Sequence, residues 1–305
     1  MKHRDVGRII VLIATGMLCG AAYAEDGGAV RDVRESVLEG TWGIGLAAVG
    51  RSTVGSGDSA YALRAAALEL EIGSCCGAAR VLDFDWSHRD DFVEDTGGRD
   101  PWDELYCLDL GVRRSGSLTA GLVYNLAAGI TTAFEEDPDN SMSAYIGAYG
   151  AYAIGRKWMI FAGAFYSRHQ EIVTDYDCVP VLGLSWNAGT ADGLSVNLGL
   201  PSTDVTWHFS ESTALALLVE YNTMECGIYR LADDNAARPG GYAALTGADV
   251  SLRFDTCILE GMAVSLGLTQ SVNREMDLYD NDGNNEETYD VEEQVGFAVS
   301  ISRSF

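Results

Sequence analysis

Glu292-Glu293-Gln294-Val295-Gly296-Phe297-Ala298-Val299-Ser300-Ile301-Ser302-Arg303-Ser304-Phe305 closes the 305-residue chain. Val295, Phe297, Val299, Ile301 and Phe305 are apolar, whereas Gln294, Gly296, Ala298, Ser300, Ser302 and Ser304 are small or polar. Side chains on a strand alternate faces, so this is a strand with one greasy side and one polar side. Left bare on a soluble domain, such a strand presents an open edge that invites aggregation. Closing the sheet into a barrel removes the edge, and in a membrane the outside of that barrel is apolar. The stretch predicts an all-β, transmembrane, antiparallel up-and-down β-barrel.

A terminal aromatic preceded by alternating apolar residues also resembles the C-terminal assembly signal of outer-membrane barrels. The resemblance assigns Phe297, Val299, Ile301 and Phe305 to that signal, with the barrel-assembly machinery as partner. Arg303 departs from the pattern, and its long stem lets the head snorkel to water.

The other end carries an address. Lys2, Arg4 and Arg8 precede an apolar run from Ile9 to Leu18, and Ala22-Tyr23-Ala24 is a small-x-small cleavage site. This is the pattern of a secretory signal peptide, too short for a spanning helix. Cys19 suggests a lipoprotein, but Met17-Leu18 before it are too bulky for a good lipobox. The expected organisation is a cleaved signal peptide over 1–24, a periplasmic lead-in over 25–40 and a barrel over 41–305. The expected location is the cell outer membrane, with outer-membrane lipid and lipopolysaccharide as neighbours.

The chain has 20 basic and 45 acidic residues. Removing Lys2, Arg4, Arg8 and Asp5 with the signal peptide leaves 17 and 44, a net charge of −27. Such acidity argues against nucleic acid as a partner. Six cysteines remain after cleavage: Cys75, Cys76, Cys107, Cys178, Cys226 and Cys257. An oxidising compartment permits disulfides, but spacing alone does not give their pairing. No cofactor and no metal site is expected, because the vicinal Cys75-Cys76 pair lacks ligand spacing. Asp280-Asn281-Asp282-Gly283 resembles a calcium loop only faintly. With Gly283 at its sixth position, Leu278 and Tyr289 would fill the first and twelfth, where carboxylates belong.

Alternation recurs along the chain. Candidate strands cover 41–51, 60–73, 78–88, 104–115, 118–131, 143–154 and 157–169. The series continues over 179–187, 193–200, 202–209, 213–222, 242–254, 261–271 and the closing stretch, with 227–232 as a possible extension of the eleventh. Short connections such as Gly155–Arg156 alternate with long acidic ones such as Arg89–Asp103 and Glu275–Val291. Outer-membrane barrels show this phasing of short periplasmic turns and long outer loops. Fourteen strands are expected, or twelve if Pro201 bends one strand instead of turning between two.

Val181-Leu182-Gly183-Leu184-Ser185-Trp186, Leu198-Gly199-Leu200-Pro201 and Gly227-Ile228-Tyr229-Arg230-Leu231 are the most distinctive runs. Through them the chain resembles an uncharacterised family of Gram-negative outer-membrane β-barrel proteins, a domain of unknown function. The resemblance implies location and architecture and brings no substrate.

Strand parity assigns Asp83, Asp85, Asp109, Arg113, Asp204, His208, Asp249 and Arg253 to the lumen, with Leu82, Phe84 and Trp86 turned to lipid. No catalytic residue is assigned. The expected function is a non-enzymatic barrel, either a passive, cation-preferring diffusion channel or a structural protein. The alternative is a hydrolase at the outer rim. Asp83-Phe84-Asp85-Trp86 resembles the Asp-x-Asp-Trp of omptin proteases, which also need an Asp-x-His pair. This chain has no Asp-x-His, and Asp204 and His208 four apart are a poor substitute.

Overall fold

The computed structural model describes residues 40–55, 58–87, 100–172, 178–187, 193–221 and 227–305. The expected signal peptide over 1–24 and nearly all of the expected lead-in over 25–40 lie outside them, as do His88 and Cys226. Sixteen strands follow one another without a helix among the described residues. They are β1 (Gly40–Thr53), β2 (Ala60–Ile72), β3 (Cys75–Ser87), β4 (Glu104–Thr119), β5 (Leu122–Phe134), β6 (Met142–Ile154), β7 (Trp158–His169) and β8 (Cys178–Asn187). Then come β9 (Gly193–Leu200), β10 (Ser202–Ser210), β11 (Thr213–Tyr221), β12 (Ile228–Arg230), β13 (Tyr242–Leu259), β14 (Met262–Tyr279), β15 (Asn285–Val291) and β16 (Gln294–Ser304).

Fourteen of these make a closed antiparallel ring: β1 to β11 in order, then β13, β14 and β16. The seam is the pairing of β1 with β16, from Thr41 opposite Ser304 to Val49 opposite Gly296. Phe305 finishes it, donating its N–H to the Gly40 carbonyl at 2.9 Å and accepting the Gly40 N–H at 3.0 Å. Closure leaves no edge strand to template aggregation. Leu200-Pro201-Ser202 is a true turn between β9 and β10, so the count is fourteen and not twelve.

One end of the ring carries tight turns. Gly73, Gly121, Gly155 and Gly261 each have a positive φ there, a conformation that costs glycine nothing. Long connections gather at the other end. Strand lengths are not uniform: β9 has 8 residues and β13 and β14 have 18 each.

Along most of its height the ring shows apolar residues outward. Ile44, Leu68, Leu110, Ile130, Ile146, Ile160, Leu182, Leu198, Leu217, Leu252, Leu268 and Phe297, one each from twelve of the fourteen ring strands, form an exposed apolar belt. Around the seam the complementary inner positions are small or polar, for example Gly43, Gly45, Ser265, Gly267, Ala298 and Ser300. Elsewhere inner glycines are covered by Tyr145 of β6 and by Phe161 and Phe165 of β7.

The loop end departs from this simple ring. β12 continues the line of β11 along β13, with Ile228 opposite Ala244 and Arg230 opposite Tyr242. The expected extension of the eleventh strand is therefore present, as a separate short strand. Its other side meets β5 in a parallel bridge between Arg230 and Phe134. β15 pairs with β14 and reaches β1 through a bridge between Val291 and Val54. Together β1–β5 and β12–β15 close a second, smaller ring of nine strands above the ring of fourteen.

Barrels of about eight strands have interiors just wide enough for side chains to fill. The nine-strand ring obeys that rule. Its core is Val54, Tyr61, Leu63, Phe84, Trp86, Trp102, Leu105, Cys107, Ala133, Tyr229, Leu231, Ala237, Ala243, Met276, Leu278 and Val291, all buried. Trp86 and Trp102 pack edge to face with centroids 5.3 Å apart, and the Trp86 indole N–H donates to the Trp102 carbonyl at 2.7 Å. Phe84 stacks on Trp86 at 6.0 Å.

A bulge lets β14 serve both rings. Between Thr246 and Ala248 of β13 stands Gly247 alone, opposite Asn273 and Arg274 of β14. Gly247 and Asn273 both have positive φ. The extra residue flips the parity of β14. Ser265, Gly267, Thr269 and Ser271 face inward below the bulge, and Arg274, Met276 and Leu278 face inward above it.

Candidate functional site

The lumen is built from the inward positions of the fourteen strands, and its two halves differ. Beneath the nine-strand ring lies a chamber of about 280 Å³. Its roof is Leu63, Leu82, Tyr229 and Leu245, and its walls come from β1, β11, β13, β14 and β16. The roof side chains belong to or pack on the apolar core above, so the chamber is closed toward the loop end. Arg80, Glu220, Asp249, Arg253 and Arg274 supply its charges. Arg274 pairs with Asp249 at 3.2 Å, Ser271 donates to the same Asp249 oxygen at 2.6 Å, and Arg253 pairs with Asp255 at 3.0 Å. Arginines in this arrangement neutralise part of the acidic wall.

The opposite half is the wall of β6 to β10, which β11 joins to the chamber. On β9 and β10 the inward positions are Gly193, Ser195, Asn197, Gly199, Ser202, Asp204, Thr206 and His208. Asp204 accepts from Asn197 Nδ2 at 2.7 Å and from Thr206 Oγ1 at 3.2 Å. His208 Nε2 lies 3.3 Å from Ser195 Oγ. Further round, Asp109 accepts from Thr131 at 2.8 Å and from the Tyr145 hydroxyl at 3.2 Å. Arg113 lies on the same inner face of β4, two positions from Gly111.

Asp109, Arg113, Asp204, His208, Asp249 and Arg253 thus share the inner face. Asp83 and Asp85 do not, which corrects the expectation drawn from parity. Asp83 sits opposite Arg64 on the outer face, with their charged atoms 3.5 Å apart, the Arg64 side chain exposed and that of Asp83 about half exposed. Asp85 is exposed on the same face, while Phe84 and Trp86 are buried inside. The alternation was legible, but the rule that polar residues face in fails where the ring is filled with an apolar core. Sequence reasoning also missed Arg80 and Arg274 on the inner face. Arg80 shares the inverted parity of β3, and Arg274 follows the β14 bulge.

Polar latches tie the loops over the mouth. Asn235 is buried and donates from Nδ2 to a Glu135 carboxylate oxygen at 2.8 Å and to the Pro101 carbonyl. Its own Oδ1 accepts the Ala237 and Arg238 N–H groups at 2.8 and 2.9 Å. Glu135 also accepts the Ala232 N–H at 2.8 Å. Burial pushes the Glu135 carboxyl above its usual range, Glu136 and Asp234 add to the rise, and the bonds from Ala232 and Asn235 oppose it. Arg238 reaches Glu286 at 3.0 Å and Glu287 at 2.8 Å on β15. His169 Nδ1 accepts the Glu171 and Ile172 N–H groups at 3.2 Å each, which holds Ile172 against Tyr242 and Tyr279.

Cys107 is disulfide-bonded, and Cys75, Cys76, Cys178 and Cys257 are free thiols. Among the described residues no cluster of three or more His, Cys, Asp or Glu side chains could hold a metal ion.

No protein-family model matches the sequence, so the resemblance to an uncharacterised barrel family gains no support from one. No curated protein matches either. Among solved structures the chain is similar to an outer-membrane channel from Pseudomonas putida F1, at 10% identity and a TM-score of 0.46, covering 88% of this chain and 96% of that one. It is similar to the P. putida toluene transporter TodX at 10% identity and 0.41, covering 87% and 90%. The KdgM porin follows at 6% and 0.37, covering 86% and 99%. At these values no solute or mechanism transfers to this chain.

Proposed function

We propose that the chain is a non-enzymatic β-barrel of the outer membrane that acts as a passive, cation-preferring diffusion channel. The observation that carries this reading is the closed ring of fourteen strands, apolar around its outside and carrying charged and polar groups on its inner face below the filled ring. Hydrocarbon tolerates only backbone whose polar groups are all paired, and a closed ring meets that demand while its apolar belt meets the lipid. Lipid and lipopolysaccharide are the expected surroundings, and the seam strand β16 is the expected contact for the assembly machinery.

Charge supports the sign of the preference. Glu69, Glu71, Asp109, Asp204, Glu220, Asp249 and Asp255 lie on the inner face against Arg80, Arg113, Arg253 and Arg274. A passage lined by an excess of one sign concentrates the opposite ion. Nothing favours the rim hydrolase, because Asp83 and Asp85 are turned away from the lumen and Asp83 faces Arg64.

The test is the purified barrel in a planar bilayer under a KCl gradient. Stepwise conductance with a cation-side reversal potential is expected, and the preference should shrink as salt rises. An anion-side reversal potential would refute the charge argument. The filled nine-strand ring favours one second reading, a purely structural barrel, and the absence of any conductance step would establish it.

A further inference from the structure

We infer that the solute path is off-centre. It crosses the low rim at Leu200-Pro201-Ser202 and descends along the inner face of β9 and β10, bypassing the nine-strand ring. This rests on the channel reading proposed above.

Three observations converge on it. The nine-strand half is closed: its interior is packed side chain to side chain, and the chamber beneath it ends at Leu63, Leu82, Tyr229 and Leu245. A small ion rising through the chamber meets only an apolar roof. The wall is lowest on the other side. β9 and β10 have 8 and 9 residues against 18 for β13 and β14, a difference of about 30 Å along a strand. Thr213 at the start of β11 pairs with Thr256 near the turn end of β13, so the missing height is at the loop end.

The chemistry of the low wall is the third observation. The eight inward positions on β9 and β10 carry only polar side chains or glycine and are all half-buried, with the Phe161 ring of β7 lying over Gly199 at the upper edge of the strip. Asn197, Asp204, Thr206, Ser195 and His208 present amide, carboxylate, hydroxyl and imidazole groups in sequence down the wall. Groups of this kind exchange with the hydration shell of a small ion, and the carboxylate of Asp204 gives the strip a negative centre. The solute class is a small hydrated cation.

Two inward positions of one register row, joined through Asp204, Leu218 and Ser251, tell the halves apart. Asn197 lies opposite Asp204 on the low wall, and Thr269 lies opposite Ser251 in the closed chamber. In a chain with Cys75, Cys76, Cys178 and Cys257 replaced by serine, Asn197→Cys and Thr269→Cys would each be assembled, placed in a planar bilayer and treated with a cationic methanethiosulfonate. Modification at 197 should at least halve the single-channel conductance, and modification at 269 should leave it nearly unchanged. Equal block at both positions, or block only at 269, would overturn the off-centre path while the channel reading stands. If the unmodified background gives no conductance, the channel reading falls and the path falls with it.

Discussion

Arg230 of β12 faces Phe134 of β5 across a parallel bridge, and through that contact strands on opposite sides of the ring become neighbours. β12 also lies on β13, which is seven places from β5 in either direction around the fourteen. A strand of three residues thereby divides the mouth into a filled ring and a remaining half. The backbone reinforces the division, because Glu135 N–H donates to the Arg230 carbonyl at 2.9 Å.

Trp102 tests whether the filled ring is a cooperative core. Its side chain is 1% exposed and meets both Phe84 and Trp86. Trp102→Ala should cost about 3–5 kcal/mol, the usual range for removing a buried aromatic. The loss should fall on the loop end. Limited proteolysis should cut the 231–241 segment faster, while the heat-modifiable band of the assembled barrel persists.

Glu135 should make the latch pH-dependent. Its carboxyl is held above the ordinary range by burial, so the latched state binds its proton more tightly than a released loop does. The stabilisation is full below the ordinary carboxylate value and is lost as pH rises through the raised one. Protease sensitivity of the 231–241 segment should increase across that window. Glu135→Gln keeps acceptors for Ala232 and Asn235 and should flatten the pH profile, and Glu135→Ala should leave the segment sensitive at every pH.

Asp83 should be dispensable for selectivity. An exposed pair such as Arg64–Asp83 contributes about 0–1 kcal/mol. Asp83→Asn should leave both assembly and reversal potential unchanged, whereas joint replacement of Asp109 and Asp204 by asparagine should move the reversal potential toward zero. A shift caused by Asp83→Asn alone would return that carboxylate to the lumen.

Phe305 closes the seam. Its backbone makes both hydrogen bonds to Gly40, and its ring covers Gly40, where an added Cβ would lie 2.6 Å from the ring edge. Deleting Phe305 should lower the yield of membrane-embedded, heat-modifiable barrel without reducing export. Normal yield would show that the β1–β16 register from Thr41 to Val49 is sufficient.

The ring itself was legible because alternation is local: Leu122 to Thr131, Met262 to Thr269 and the closing strand each declare their period from neighbouring residues. The expected strand over 118–131 nevertheless ran across the turn at Ala120-Gly121, where Leu118 and Thr119 belong to β4. The alternating connection lengths gave the up-and-down order, and tight glycine turns matched it. What could not be read was which face of a strand is inside where neither side is lipid. In Asp83-Phe84-Asp85-Trp86 both assignments alternate perfectly, and only the nine-strand core decides between them. Arg274 was hidden for a different reason. A single bulge at Gly247 shifts β14 by one residue, and its only sequence sign is an isolated glycine within the run of β13, in a chain rich in strand glycines. The seven-place link made by β12 is long-range, and the three residues of that strand carry no periodicity to reveal it.

Crosslinking β12 to β5 tests the division of the mouth most directly. Arg230 and Phe134 are bridge partners, and paired strand positions fall within the Cα separation that a disulfide spans. With the free cysteines replaced by serine, Arg230→Cys and Phe134→Cys should crosslink on oxidation in the assembled barrel and leave its conductance unchanged, because the path bypasses the filled ring. Failure to crosslink, or a current lost on oxidation and restored by reductant, would contradict the division and show that ions pass through the ring itself.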